Sequence, residues 1–264
     1  MQLTIDHETV YRYDATVSHS TQYLRLTPPQ SSHQRIISWQ LELPVAASES
    51  TDAYGNILHV LTLDTPHSEI RLRAHGVVET SDDWAAEAEM LPPPVFLRGS
   101  TLTEPDDAIR ALAASHAAAI AADAEAGLAA LMQAVADAMP YTSGVTAAET
   151  TAAQALALGA GVCQDHSHVF IAACRSLGLP ARYVSGYLLS DRDTHVASHA
   201  WAEVHANGRW LGFDISNRMR PDRHHLKLAV GLDYTDASPV RGVRRGGGSE
   251  ALQAHARVTE ADQQ

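Results

Sequence analysis

Two different periods of apolar residues divide the chain. Over residues 3–13, 22–26, 36–43, 57–63 and 70–78, apolar or β-branched side chains alternate with polar ones, the period of two expected of half-buried strands. Pro28-Pro29, Pro44, Tyr54-Gly55-Asn56 and Asp64-Thr65-Pro66 punctuate these runs as turns. Short strands at regular spacing predict a β-sandwich-like module. Leu91-Pro92-Pro93-Pro94 then breaks the chain, and we divide it into a β-rich module, residues 1–85, and a second domain, residues 86–264.

Beyond this break the period lengthens. Thr103-Glu104-Pro105-Asp106-Asp107 offers a cap residue, an early proline and first-turn acids, the signature of a helix start. An alanine-rich helix is expected to run to about residue 118. A second helix, 125–139, stops at Pro140 and carries Leu128, Leu131, Met132 and Val135 on one apolar stripe. A short helix over 152–158 leads into Gly159-Ala160-Gly161-Val162-Cys163, and an apolar helical stretch follows from Val169 to Leu177. After Pro180 strand patterns return at 183–189, 199–205 and 209–213, with a last one at 253–258 and a glycine turn at 246–248. A helix followed by antiparallel strands is an α+β order. Residues 261–264 are expected to fray, and Arg241, Arg244 and Arg245 read as a solvated basic loop.

Charge and cysteine usage narrow the classes. The 264 residues hold 19 Lys and Arg against 31 Asp and Glu, a formal net charge of −12. That disfavours nucleic acid, whose binders need a basic face, and an anionic membrane surface. No run reaches the roughly 18 apolar residues of a membrane span, and residues 1–10 lack the apolar core of a signal peptide, so a cytoplasmic setting is expected. Cys163 and Cys174 are the two cysteines. Eleven residues apart on one helix, they are separated by roughly 16 Å, whereas a disulfide needs Cα atoms within about 7 Å. Cys163 is therefore expected to be a free thiol and Cys174 a small buried core residue.

The placement of Cys163 is the strongest chemical signal. A cysteine in the first turn of a helix meets unpaired N–H groups and the positive end of the helix dipole, which favour thiolate. A base follows in Ser198-His199-Ala200-Trp201-Ala202-Glu203-Val204, and a carboxylate in Gly208-Arg209-Trp210-Leu211-Gly212-Phe213-Asp214. Asn207-Gly208 joins the two segments as a two-residue hairpin turn. His199 and Asp214 thus lie on adjacent antiparallel strands, where facing Cβ atoms are about 4.5–5.5 Å apart. Nucleophile, base and orienting carboxylate are the three roles of a nucleophilic triad. Around it, Gln164, Asp165, Tyr141 and Trp201 are candidates for the site wall or for the oxyanion donors, with the Cys163 N–H the first such donor.

These motifs, in the order Gly-Val-Cys163-Gln-Asp-His, Ser-His199-Ala-Trp-Ala-Glu-Val and Trp-Leu-Gly-Phe-Asp214, resemble the transglutaminase-like cysteine hydrolase superfamily. Tyr11-Arg12-Tyr13, Leu24-Arg25-Leu26-Thr27-Pro28 and Asp52-Ala53-Tyr54-Gly55-Asn56 resemble the N-terminal region of its bacterial members. The segment from Val230 to Gly242 resembles their C-terminal segment, with Leu232 where that pattern has arginine. The resemblance implies a papain-like transglutaminase core, with Cys163 as nucleophile, His199 as general base and acid, and Asp214 holding the imidazole. It implies thiol-based acyl transfer at peptide or protein amides through a thioester, without metal or organic cofactor. Hydrolysis, as in a cysteine protease or amidase, is favoured over cross-linking, which must shelter the thioester and admit an amine. Two other readings stay open: a non-catalytic binding module, and a metal-dependent hydrolase built on His166 and His168. His224-His225 reads as a polar pair at a strand entry, and Trp39, Trp84 and Trp210 as packing residues.

Overall fold

A computed structural model describes residues 1–84, 90–189 and 198–261. The junction at 85/86 and the last three residues of the tail lie outside the described residues.

The N-terminal runs form strands β1 (Gln2–Leu24), β2 (Gln34–Glu42), β3 (Ser48–Thr51), β4 (Ile57–Leu63) and β5 (His67–Thr80). β1 is one strand where the pattern suggests two, because the polar stretch after Tyr13 stays paired on its edges. Its first half pairs with β5 and its second with β4, with an irregularity between Arg12 and Val17. The sheet therefore curls. Tyr13, Ile70 and Leu72 from one half and Leu24, Leu61 and Leu63 from the other share one core.

Two further strands join this sheet from the far end of the chain. β10 (Val240–Gly246) and β11 (Glu250–Glu260) both pair with β1, antiparallel. Arg241, Arg244 and Arg245, expected in a loop, are on β10 opposite Tyr23, Ser20 and His19. Their mostly polar, exposed sequence hid the strand, since β10 buries little and owes its conformation to ladder pairing. Residues 240–260, counted with 86–264 in the sequence division, thus belong to the N-terminal sheet.

The remainder is a helical layer on a four-stranded antiparallel sheet. Helices α1 (Asp107–Ala122), α2 (Ala124–Ala138), α3 (Ala152–Leu158) and α4 (Cys163–Ser176) precede strands β6 (Ala181–Leu188), β7 (Ser198–Ala206), β8 (Arg209–Phe213) and β9 (His225–Gly231), with the short α5 (Tyr234–Ala237) after them. The strand order is β8-β7-β6-β9. Asp106 and Asp123 cap α1 and α2 by accepting from Ile109 and Ala126 N–H groups, each worth about 1 kcal/mol. The stripe Leu128, Leu131, Met132 and Val135 is buried with Val169, Phe170 and Ala173 of α4 and with Tyr183, Leu211 and Phe213 of the sheet. On the other face, Tyr187, Leu226 and Leu228 pack against Leu3, Ile5, Val78 and Ala256 of the N-terminal sheet. The fold is α+β as expected: a helix bearing Cys163 on an antiparallel sheet, with a strand-rich module before it. Among the described residues, no helix is long and apolar enough to cross a membrane.

Candidate active site

Cys163 is the first residue of α4. α3 ends at Gly159 in the left-handed region, and the chain turns back so that Gly161 bridges Tyr141. Asp165, almost fully buried, then locks the start of α4. Its Oδ2 accepts from the Val162 N–H at 2.8 Å and from the Thr146 hydroxyl at 2.7 Å. The rest of α4 is buried from Asp165 to Arg175, so the helix start is held against the sheet while Cys163 itself is partly exposed. Cys174 is fully buried, and burial pushes its thiol far above the ordinary range.

The hairpin forms as its turn residues require. Asn207 and Gly208 both have positive φ, 52° and 75°, as a type I′ turn demands, and Ala206 pairs with Arg209. The register runs Ala202 to Phe213, which carried one step further sets Asp214 opposite Trp201 rather than opposite His199. His199 lies two residues further on the same face, so the contact is diagonal. It is nonetheless close: the His199 Nε2–H donates to Asp214 Oδ2 at 2.7 Å. The Cys163 thiol also acts on this ring and raises its basicity; with Nε2 taken by Asp214, Nδ1 is the nitrogen left to face it. Trp201, fully buried, stacks behind His199 with ring centroids 6.3 Å apart.

Asp214 is fully buried and heavily solvated by protein donors. Oδ2 also accepts from the Asn217 side-chain amide at 2.8 Å and from His225 Nε2 at 3.0 Å, and Oδ1 accepts from the Asn217 N–H at 3.1 Å. Burial opposes its charge, but the His199 and His225 rings more than offset this and hold the carboxyl well below the usual range. For His199, burial likewise disfavours the imidazolium, yet the Asp214 charge, its hydrogen bond and Cys163 raise the ring to about 10. The site thus stabilises a charged imidazole beside a thiol.

The flanking candidates fall in distinct places. Tyr141 sits beside the start of α4, bridged to Gly161 and with its ring mostly exposed; burial and the Cys163 and Asp165 charges raise its phenol. Gln164 spends its side-chain amide on the Ala148 carbonyl at 3.0 Å, tying down the loop before α3. His166 donates from Nε2 to the Met139 carbonyl at 2.6 Å and accepts at Nδ1 from Ser216 Oγ at 2.7 Å. His168 Nε2 accepts from the Tyr234 N–H at 3.1 Å. Each of these two rings is committed to its own partners, so they do not converge on a shared ligand position. The imidazole and carboxylate atoms of His199, Asp214 and His225 lie within 4.8 Å of one another. Both ring N–H groups point at the carboxylate there, which makes the cluster a hydrogen-bonded array.

His225, Asn217 and Asp222 belong to the site and were not legible in sequence. His225, grouped with His224 as a polar pair, is fully buried and separates from its partly exposed neighbour. Asn217 and Asp222 lie in the irregular stretch between β8 and β9, where no periodicity points a side chain. Trp39, Trp84 and Trp210 pack as expected: Trp39 against the N-terminal core, Trp84 stacked on His33 at 3.6 Å, and Trp210 edge-on to Phe96.

Residues 110–215 match the transglutaminase-like superfamily, and residues 3–79 match the bacterial transglutaminase-like N-terminal region. The chain belongs to the transglutaminase-like superfamily, in the branch that carries this N-terminal region. It is 33% identical to an uncharacterized protein of Mycobacterium tuberculosis over 90% of this chain and 86% of that one. It is 29% identical to an uncharacterized protein of Mycobacterium leprae over 98% of each. The fold matches that of a proposed cysteine protease from Cytophaga hutchinsonii with a TM-score of 0.82, at 24% identity, over all of this chain and 92% of the other. Family and site agree on the kind of protein: an enzyme whose chemistry runs on a thiol.

Proposed function

We propose that the protein is a thiol hydrolase of amide bonds, a cysteine protease or amidase working through Cys163, His199 and Asp214. The observation that carries this reading is the single His199 ring held between the Cys163 thiol and Asp214 Oδ2, at 2.7 Å from the latter. The Cys163 thiolate, paired with the His199 imidazolium, attacks an amide carbonyl. The carbon–nitrogen bond breaks as the imidazolium protonates the departing amine, leaving a thioester on Sγ. Water, deprotonated by the now neutral His199, attacks the thioester carbonyl; the carbon–sulfur bond breaks, the carboxylic acid leaves and the thiol returns. Asp214 keeps the proton on Nε2, so that Nδ1 faces sulfur throughout. The Cys163 N–H at the helix start, with Tyr141 beside it, is the proposed cradle of the oxyanion. The substrate is a peptide or protein amide, and a reducing cytoplasmic setting fits a catalyst that needs its thiol free.

Iodoacetamide labelling with mass mapping tests the reading. Cys163 is expected to be alkylated selectively at neutral pH while the buried Cys174 stays unmodified, and Cys163→Ala is expected to abolish amide cleavage. Equal labelling of both cysteines in the folded protein, or full activity in Cys163→Ala, overturns it. Release of the leaving amine, ammonia from a carboxamide or a new amino terminus from a peptide bond, set against incorporation of a labelled amine then separates hydrolysis from cross-linking, and release without incorporation is the expected result.

A further inference from the structure

The Asp214 oxygen that serves His199 serves a second imidazole as well. His225 Nε2–H reaches Asp214 Oδ2 at 3.0 Å, its side chain is fully buried, and its ring centroid lies 6.0 Å from that of His199. At its other nitrogen, Nδ1 faces Asp222 in two ways. The Asp222 carboxylate Oδ1 and the Asp222 backbone N–H each lie 3.2 Å away. A protonated ring donates to the carboxylate, and a neutral ring accepts from the N–H, so Asp222 offers the ring a partner in either state.

The surroundings favour the charged state. Among the described residues, the titratable groups that face His225 are Asp214 and Asp222 from the stretch after β8, His199 from β7, and His33 from the loop before β2. His33 donates from Nε2 to the His225 carbonyl at 2.7 Å, and burial lowers its own basicity, which keeps it neutral. Two carboxylates therefore stand against one cation on His199. Burial opposes a charge on His225, but the hydrogen bonds to Asp214 and Asp222 more than offset it and raise the ring above its ordinary value. Asp222 is one third exposed and also holds the His224 ring at 3.0 Å, so it links this buried ring to solvent.

We propose that His225 is a positioning residue that carries a positive charge between Asp214 and Asp222, and that this charge, governed from the rim by Asp222, sets how strongly Asp214 holds the proton on His199. The proposal rests on the assignment of His199 and Asp214 as base and orienter. It extends the row from Cys163 through His199, Asp214 and His225 to Asp222 at the surface.

Nitrogen-15 NMR of histidine-labelled protein tests it, with the His199 and His225 signals assigned through His199→Ala and His225→Gln. In the native protein His225 is expected to keep both ring protons at about pH 7.5, where an ordinary imidazole has lost one. In Asp222→Asn it is expected to be neutral at that pH, and the His199 Nε2 proton, held more strongly by an Asp214 that no longer faces a second cation, is expected to move downfield at the same pH. The sign is decisive. Were His225 neutral to begin with, Asp222→Asn would remove no cation from Asp214, and the His199 Nε2 proton would not move downfield. A single ring proton on native His225, or a His199 Nε2 proton that stays or moves upfield in Asp222→Asn at about pH 7.5, overturns the inference. Asp222 lies on the rim, so this variant keeps the test open should His225→Gln fail to fold. Alkylation scored on the same samples keeps the two readings apart. Selective Cys163 labelling with a neutral His225 sinks this inference alone, and unselective labelling with a charged His225 sinks the thiol reading alone.

Discussion

His199 is the residue on which chemistry and stability meet. Its bond to Asp214 raises it from an unfolded value near 6.5 to about 10 in the folded protein. The folded state therefore binds this proton more tightly than the unfolded chain. The contribution is fully present below about pH 6.5 and is lost as pH rises through about 10. Thermal melts are expected to show stability declining over that window, and His199→Ala to flatten the decline; an unchanged slope in the variant would show that other groups carry it. In the proposed mechanism the same substitution removes the proton acceptor from sulfur. Cleavage is expected to fall on the order of 10²- to 10⁴-fold, measured by initial rates at fixed enzyme, with circular dichroism confirming the fold. Cys163, His199 and Asp214 were legible because each sits at a local landmark, a helix start or a strand flanking an Asn-Gly turn. His225 has no such landmark: its role depends on a partner eleven residues away across irregular chain.

At the scale of elements, the site depends on how α4 begins and how β6 and β7 approach. Asp165 substitutes for a side-chain cap by binding the Val162 N–H, and at the same time fastens Thr146. Asp165→Ala is expected to cost about 1–3 kcal/mol by urea denaturation, the range for leaving buried polar groups unpaired. β6 faces β7 with Gly186 opposite His199. A Cβ at Gly186 would come 2.1 Å from the Leu226 carbonyl oxygen and 2.7 Å from the Trp201 ring, so only glycine lets the indole lie flat behind His199. The periods of three to four and of two identified nearly all of these elements. They missed β3 and β10, and split β1 in two, because exposed polar strands have no apolar alternation to read and are held by backbone pairing; they also gave β9 only an entry at His224-His225 and missed the single turn of α5, four residues being too few for a helical period to show.

At the scale of the molecule, the N-terminal sheet is part of the support for β9. Gln34 donates to the Lys227 carbonyl and accepts from its N–H, Asn56 does the same with Val230, and Thr80 donates to the Arg223 carbonyl. The apolar cluster around Tyr187, Leu226 and Leu228 is shared with Leu3, Ile5, Val78 and Ala256. Cores joined this way unfold together. A single transition is expected, coincident by tryptophan fluorescence and far-ultraviolet circular dichroism. Leu228→Ala, at 1% exposure, is expected to destabilise that one transition by about 2–5 kcal/mol. Two separated transitions would show that the sheets are independent.

The amino-acid sequence by itself determined the class of elements, the thiol at a helix start, and the hairpin that carries a histidine and a carboxylate. All of these are local, set by periodicity, capping and turn chemistry within a few residues. Only the tertiary structure decided that the last strands return to pair with the first, that His199 meets Asp214 on the diagonal, and that His225 and Asn217 share the same carboxylate. These contacts join residues far apart in the chain or across irregular segments, and what fixes them is the packing of two sheets and a buried helix, which no short-range pattern encodes.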